Sequence, residues 1–436
     1  MTRKIFLLMT LIVVISFSVL TAGCLEDVLG TSEPTENFTL PPNVQQAARQ
    51  VNEKVPVDVY FDATVSMKGY TTLAAGNVYR TLPDILTDVG SSMGEVNFYK
   101  FSEQITLLEN RDYRNYSSPA PYYEIVTAIQ NVVAQANPAH LSVIVTDLFE
   151  SDSDWSSMAR QIRTKYFDNH LAVAVIGIKN SFNGEVFDVG LNAAKFDYNS
   201  NDNTALFRPF YLMILGQEAD ITRFMEKFKE RQTLPNETHY LMLSENLSTA
   251  NDFSSMPMTD LQNFYNTDKL KLGNNGVKEF GLDKFAEPAS LTVQFTYKPQ
   301  LGACPLNMEE IVPDVKILVQ EGEEWQPLDS NDVNVTLTPI EGNPNSFDVT
   351  VSMTPERSLR EGKYNFVHIS LSPTEKGYML PEWVRNWNMP NVDVDKANFD
   401  GSKTINLVHV IGSLKDSVFA TAPLKLIDMN FVVDAH

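Results

Sequence analysis

The heptapeptide Phe61-Asp62-Ala63-Thr64-Val65-Ser66-Met67 recurs almost unchanged as Phe347-Asp348-Val349-Thr350-Val351-Ser352-Met353. Each copy spells Asp-x-Thr-x-Ser, one carboxylate followed by two hydroxyls at alternate positions. In a loop these oxygens can serve as ligands to a hard divalent cation. In an extended strand the same residues line one face and meet water. The flanking residues separate the two cases. The first copy closes the apolar run Val55–Phe61, so Asp62 stands at the carboxyl end of a predicted strand, with Met67-Lys68-Gly69 and a predicted helix beyond. The second copy follows the turn residues Glu341-Gly342-Asn343-Pro344-Asn345, and its apolar and polar residues alternate strictly, which predicts a half-buried strand. There Thr350 and Ser352 would lie about 7 Å apart, too far to share one small ion. Asp62, Thr64 and Ser66 are therefore candidates and the second copy is a control. A second carboxylate has the same setting: the buried run Leu141–Val145 ends in Thr146-Asp147.

Those residues need elements to hold them. Strands are predicted at 55–61, 95–101, 104–109, 141–145, 170–178 and 210–215. Helices are predicted at 74–89, 122–136, 153–167 and 219–231. Continuous apolar strands alternating with amphipathic helices predict a doubly wound, mostly parallel α/β sheet, with ligands at the carboxyl ends of its strands. After residue 288 the apolar period becomes two, with short runs at 291–297, 315–320, 333–338, 347–353, 363–371, 404–410 and 424–433 separated by turn residues. This predicts an all-β sandwich. The expected organisation is a leader over 1–23, a polar tether over 24–50, the α/β domain over 51–250, a connection over 251–285 and the sandwich over 286–436.

The first constellation resembles the von Willebrand factor A domain and its metal-ion-dependent adhesion site. The pattern of that family is Asp-x-Ser-x-Ser-Met after the first strand, a distant Thr before a helix, and Thr-Asp-Gly after a later strand. Here the first element is Asp62-Ala63-Thr64-Val65-Ser66-Met67 and the last is Thr146-Asp147-Leu148, with Leu in place of Gly. In place of the middle Gly-Thr stands Tyr116-Ser117-Ser118-Pro119, where Ser117 or Ser118 supplies the hydroxyl. The resemblance spans residues 52 to 235. It implies that Thr64, Ser66 and Ser117 or Ser118 bind Mg²⁺, or another divalent cation such as Mn²⁺ or Ca²⁺, directly. Asp62 and Asp147 would then hold the ion largely through water. A cation bound by hydroxyls keeps much of its charge and can accept a carboxylate from a partner.

The other titratable residues show no comparable pattern. Glu150, Asp152 and Asp154 read as a solvated helix start. The six histidines have no ligand spacing, and Trp325, Trp383 and Trp387 read as packing residues.

Arg3 and Lys4, the apolar run Ile5–Leu20 and the small residues Thr21-Ala22-Gly23 describe a signal peptide. Cys24 directly after them makes the segment resemble a lipoprotein signal, which implies a lipid on Cys24 and a membrane anchor facing the extracellular or periplasmic side. Cys304 is the remaining thiol, so no internal disulfide would form. A net charge of −21 repels phosphate backbones and argues against nucleic-acid binding. The expected function is a cell-surface binding or adhesion protein without turnover, whose partner, a protein or other surface ligand, presents a carboxylate. Two alternatives are a scaffold of this kind without metal and a metal-assisted hydrolase. The hydrolase would use Thr64 or Ser66 as nucleophile, assisted by Lys68, Tyr122 or Tyr123. A solute receptor would need two similar lobes, which the change of period argues against.

Overall fold

The structure is a computed structural model that describes residues 36–41, 53–73, 77–148, 155–189, 194–231, 237–249, 253–272, 276–322, 324–390, 398–421 and 423–436. The expected leader, Cys24, and Glu150, Asp152 and Asp154 lie outside the described residues. Among the described residues no helix is long and apolar enough to cross a membrane.

The first half is built on a seven-stranded sheet. Its elements in chain order are β1 (Val57–Asp62), α1 (Leu82–Met93), β2 (Val96–Phe101), β3 (Ile105–Leu107), α2 (Ile129–Gln135), β4 (Leu141–Thr146), α3 (Trp155–Lys165), β5 (Ala172–Asn180), the hairpin β6 (Asn183–Val189) and β7 (Ala194–Asn199), β8 (Arg208–Gly216), α4 (Glu218–Arg231) and β9 (Thr238–Leu243). The strand order is β9-β5-β8-β4-β1-β2-β3. Every residue of β1, β4 and β8 is buried because helices cover both faces. Val57, Val59 and Phe61 share an apolar cluster with α1 and α4, while Tyr60 joins the cluster that contains α2 and α3. This is the period of two expected of a strand buried on both sides.

The doubly wound, mostly parallel sheet expected from the apolar runs is not found. Within this sheet only the β1–β2 and β1–β4 pairings are parallel. β8 is antiparallel to both β4 and β5, and β9 and β3 are antiparallel edges. The described residues are mixed α/β, about 26% helix and 41% strand, in several mostly antiparallel sheets, none of them closed. The reason lies in the connections. Parallel neighbours need a crossover that packs on the sheet, usually a helix. Between β5 and β8 the chain instead makes the β6–β7 hairpin and returns, so β8 inserts antiparallel between β4 and β5.

The second half has two larger sheets and a two-stranded one of Asn388–Met389 with Thr404–Ile405. One has the order β10 (Met258–Gln262), β13 (Ala289–Thr296), β17 (Asn343–Met353), β16 (Asn334–Ile340). The other runs β11 (Phe264–Asn266), β12 (Val277–Leu282), β19 (Ile427–Asp434), β18 (Tyr364–Pro373), β14 (Ile311–Glu321), β15 (Glu324–Leu328). This half is not all-β. Of the run expected as a strand at 404–410 only Thr404–Ile405 are extended, paired with Asn388–Met389, and Leu407 opens helix α5 (Leu407–Phe419), whose Leu407, Val410, Ile411, Leu414 and Val418 are buried at helical spacing. The α5 helix packs on α3, and one continuous apolar cluster runs from α2 and α3 through α5 into β13, β17 and β19.

Part of the expected tether is docked. Phe38 sets its ring edge-on to Trp325 at 5.6 Å and to Tyr364 at 5.5 Å, and Leu40 is buried beside them. Glu36–Asn37 pair with Leu270–Lys271. Both the apolar contacts of Phe38 and Leu40 and this short pairing hold the segment against the second half.

Candidate functional site

The β1 strand ends at Asp62, and the chain then leaves the sheet and winds into a 3₁₀ helix over Val65–Thr71. Asp62 imposes this turn: its Oδ1 accepts from the Thr64 amide at 3.0 Å and from the Thr64 hydroxyl at 2.7 Å. The Thr64 hydroxyl lies 3.0 Å from that of Ser66. Asp62 Oδ2 accepts from Thr146 Oγ1 at 3.1 Å, at the end of β4, which ties the two strand ends together.

A fourth hydroxyl completes the cluster, and it belongs to Thr127. Its Oγ1 lies 3.3 Å from Asp62 Oδ2 and 3.2 Å from Thr64 Oγ1. One proton can serve only one of these acceptors at a time. Thr127 is placed by the segment before it. Glu124 lies parallel to Thr64, its amide donating to the Ala63 carbonyl at 3.2 Å and its carbonyl accepting from the Val65 amide at 2.9 Å.

Ser117 and Ser118, expected to supply that hydroxyl, do not join the cluster. They end a 3₁₀ turn over Asp112–Ser117, and their hydroxyls donate at 2.8 Å to the carbonyls of Arg114 and Asn115 in the same turn. Sequence reasoning missed Thr127 because it placed 122–136 in one helix, whereas the helix begins at Ile129. The β-branched run Ile125-Val126-Thr127 was the available signal for extended backbone.

The aspartates are withdrawn from water: Asp62 is 0% exposed and Asp147 4%. Burial, then the charge of Asp147, push the Asp62 carboxyl up to about 7, against the hydrogen bonds from Thr64 and Thr146 that hold it down. An aromatic wall deepens the burial. Phe61 stacks on Tyr116 at 4.9 Å, and the Tyr122 hydroxyl lies 2.8 Å from that of Tyr79 and donates to the Tyr116 carbonyl at 2.8 Å.

After Asp147 the backbone turns left-handed at Leu148, with φ 58°, at the place where the related pattern carries glycine. The Leu148 side chain is buried, and its amide donates to Thr146 Oγ1 at 3.2 Å. The turn therefore keeps the glycine-like conformation while the side chain fills the core.

The second heptapeptide lies within β17, where Phe347, Val349, Val351 and Met353 are buried and Asp348, Thr350 and Ser352 are half-exposed. Thr350 faces Thr292 across the ladder, hydroxyl to hydroxyl at 3.0 Å.

No protein-family model matches the chain, and no match is found among curated proteins.

What the site can do follows from its own atoms. Two buried carboxylates lie near enough for the charge of Asp147 to raise the Asp62 carboxyl, and a proton or a cation on Asp62 relieves that repulsion. Among the described residues no group of three or more His, Cys, Asp or Glu that could hold a metal occurs, so an ion here would rest on hydroxyls and on at most two carboxylates. The oxygen set of Asp62, Thr64, Ser66, Thr127 and Asp147 fits a hard divalent cation. Thr64, Ser66 and Thr127 would present hydroxyl lone pairs to it, and Asp62 would orient two of those hydroxyls by accepting their protons.

Proposed function

We propose that this chain is a lipid-anchored, cell-surface binding protein that engages a carboxylate of its partner through a divalent cation, Mg²⁺ foremost, held at Asp62, Thr64, Ser66, Thr127 and Asp147. One observation carries this reading: the hydroxyls of Thr64, Thr127 and Thr146 converge on a fully buried aspartate and Ser66 joins through Thr64, with a second buried aspartate one residue beyond the neighbouring strand. The likeness to a metal-ion-dependent adhesion site is local, confined to these loops and independent of the strand order around them. When bound, the cation supplies an electrophilic point for an anionic ligand. The protein fixes the ligand hydroxyls, excludes bulk water and sets the carboxylates behind them. The reading predicts association without turnover.

The test is thermal unfolding of the detergent-solubilised full chain with and without Mg²⁺. At a hundredfold excess over the dissociation constant, Mg²⁺ should stabilise the wild type by about 2.7 kcal/mol. Asp62→Asn should abolish that gain and Asp348→Asn should leave it intact. A wild type indifferent to Mg²⁺, Mn²⁺ and Ca²⁺ would identify the cluster as a metal-free hydrogen-bonded knot at the strand ends.

A further inference from the structure

We propose that Asn334 is the acceptor of an N-linked glycan, and that the glycan covers an open sheet edge in the second half of the molecule. The proposal rests on the export part of the functional reading and is independent of the cation.

Five Asn-x-Ser/Thr triplets occur, beginning at Asn37, Asn115, Asn236, Asn246 and Asn334. Such triplets are common by chance, and a usable one must offer its amide and its hydroxyl together on an accessible surface. Asn236 and the Asn37 side chain lie outside the described residues. Asn246 is committed elsewhere. Its Nδ2 donates to Glu218 Oε2 at 2.8 Å, and Ser248 is 2% exposed, its hydroxyl accepting from the Lys298 amide at 3.2 Å. Asn115 is exposed but sits in the 3₁₀ turn over Asp112–Ser117, where residues two apart point to different sides. The middle residue of that triplet, Tyr116, is buried against Phe61, and the Ser117 hydroxyl donates to the Arg114 carbonyl.

Asn334 differs on each count. It opens β16, so Asn334 and Thr336 project from one face of an extended strand and both are exposed, while Val335 turns to the other face. Among the described residues the Asn334 carboxamide and the Thr336 hydroxyl have no hydrogen-bond partner. Inward across the sheet, Asn334 is aligned with Ser352 and Ser290, and Thr336 with Thr350 and Thr292. These four are half-exposed and make a polar surface on which a sugar chain can lie.

The strand gives the glycan its task. β16 is an edge, paired with β17 on one side. Its seven residues carry no charge and are rich in β-branched types, and Pro339 interrupts its far end alone. An uncharged, unpaired strand of this length is a template for pairing with another chain. The other edges of the larger sheets are guarded. β10 carries Asp260, β15 carries Glu324 and Pro327, and β3 and β11 are three residues long. On β9 the Met242 amide donates to the Gly302 carbonyl at 2.7 Å. A hydrated glycan at Asn334 supplies the guard that β16 lacks.

The donor class is an oligosaccharide joined through its anomeric carbon to a polyprenyl phosphate, and a membrane-bound transferase of the host catalyses the step. The bond between Asn334 Nδ2 and the anomeric carbon forms as the bond from that carbon to the carrier's phosphate oxygen breaks. One amide proton leaves with the phosphate.

The test is mass spectrometry of peptides from the full chain isolated from the membranes of its own cells, with protease treatment of intact cells and spheroplasts run beside it. The Asn334 peptide should carry a sugar mass, and the Asn115 and Asn246 peptides should not. A bare Asn334 peptide, or a glycan at Asn246 in its place, on a chain that external protease removes overturns the assignment and leaves the export reading standing. A bare chain that protease reaches in neither preparation overturns both. The guarding role is read by analytical ultracentrifugation. Asn334→Gln should self-associate about tenfold or more tightly than the glycosylated wild type, with an unchanged melting temperature. Thr338→Lys, which sets a charge on the same edge opposite Asp348, should restore the monomer in the double variant. An Asn334→Gln protein as monomeric as the wild type overturns the guarding role.

Discussion

Asp62 carries opposing demands, and they can be separated by pH. Its carboxyl is pushed up to about 7 by burial and by Asp147, above the value near 3.9 of an unfolded chain. The folded protein therefore holds this proton more tightly than the unfolded one. The group's contribution to stability is full below about pH 4 and is lost as pH rises through about 7. The cation needs the ionised form, so Mg²⁺ and the proton compete. The Mg²⁺-dependent rise in melting temperature should be larger at pH 8 than at pH 5.5. An equal rise at both would show that the ion does not use this carboxylate. Leu148 presents a second conflict, between a left-handed backbone and a buried side chain. Leu148→Ala should cost about 2–5 kcal/mol through the cavity it leaves. Glycine ordinarily falls below alanine, but a non-glycine residue in the left-handed region carries about 1–2 kcal/mol of strain. Leu148→Gly should therefore be no less stable than Leu148→Ala by denaturant unfolding; a clear alanine advantage would mean that the turn relaxes.

The 3₁₀ helix of the site is held from outside by the β6–β7 hairpin, which meets it glycine against glycine. A Cβ on Gly184 would lie 3.0 Å from the Gly69 Cα, and one on Gly69 would overlap the Phe182 ring. Gly69→Ala should destabilise by about 1–3 kcal/mol through overpacking. Phe182→Leu should recover part of that loss in the double variant, by chemical denaturation; strictly additive effects would mean that the two elements do not bear on each other. The same hairpin accounts for much of what the sequence concealed. The apolar runs at 170–178 and 210–215 show strands buried on both faces but carry no sign of direction, and direction was set by a connection that is not a helix. Asp62, Thr64, Ser66 and Asp147 were legible because each follows an apolar strand directly. Thr127 was hidden because Ile125, Ile129, Val132 and Val133 fall at helical spacing, although Ile125 faces solvent. At 404–410 the apolar residues suited either period, and burial against α3 decided for the helix.

Across the whole molecule, the two halves share more than a covalent link. Arg208 at the start of β8 is buried, its guanidinium donating to the carbonyls of Gly401 at 3.0 Å and Lys403 at 2.8 Å and lying 5.6 Å from the centre of the Phe182 ring. The Tyr211 hydroxyl meets that of Thr404 at 2.7 Å, and Phe196 of the hairpin stacks on Phe399 at 4.9 Å. These contacts run from the second half through the hairpin to the 3₁₀ helix of the site, while α3 against α5 joins the apolar cores on the other side of the sheet. A core continuous across both halves leaves no weak seam at which one half could unfold first. The full chain should therefore melt in a single transition whose calorimetric and van't Hoff enthalpies agree. In a Trp155→Phe variant, which leaves tryptophans only in the second half, Mg²⁺ bound in the first half should delay the loss of fluorescence from Trp325, Trp383 and Trp387 by the same number of degrees as the loss of helix by circular dichroism. Two resolved transitions, with Mg²⁺ moving only one, would mean that the shared core does not couple the halves, and that the Asp62 site answers to its own sheet alone.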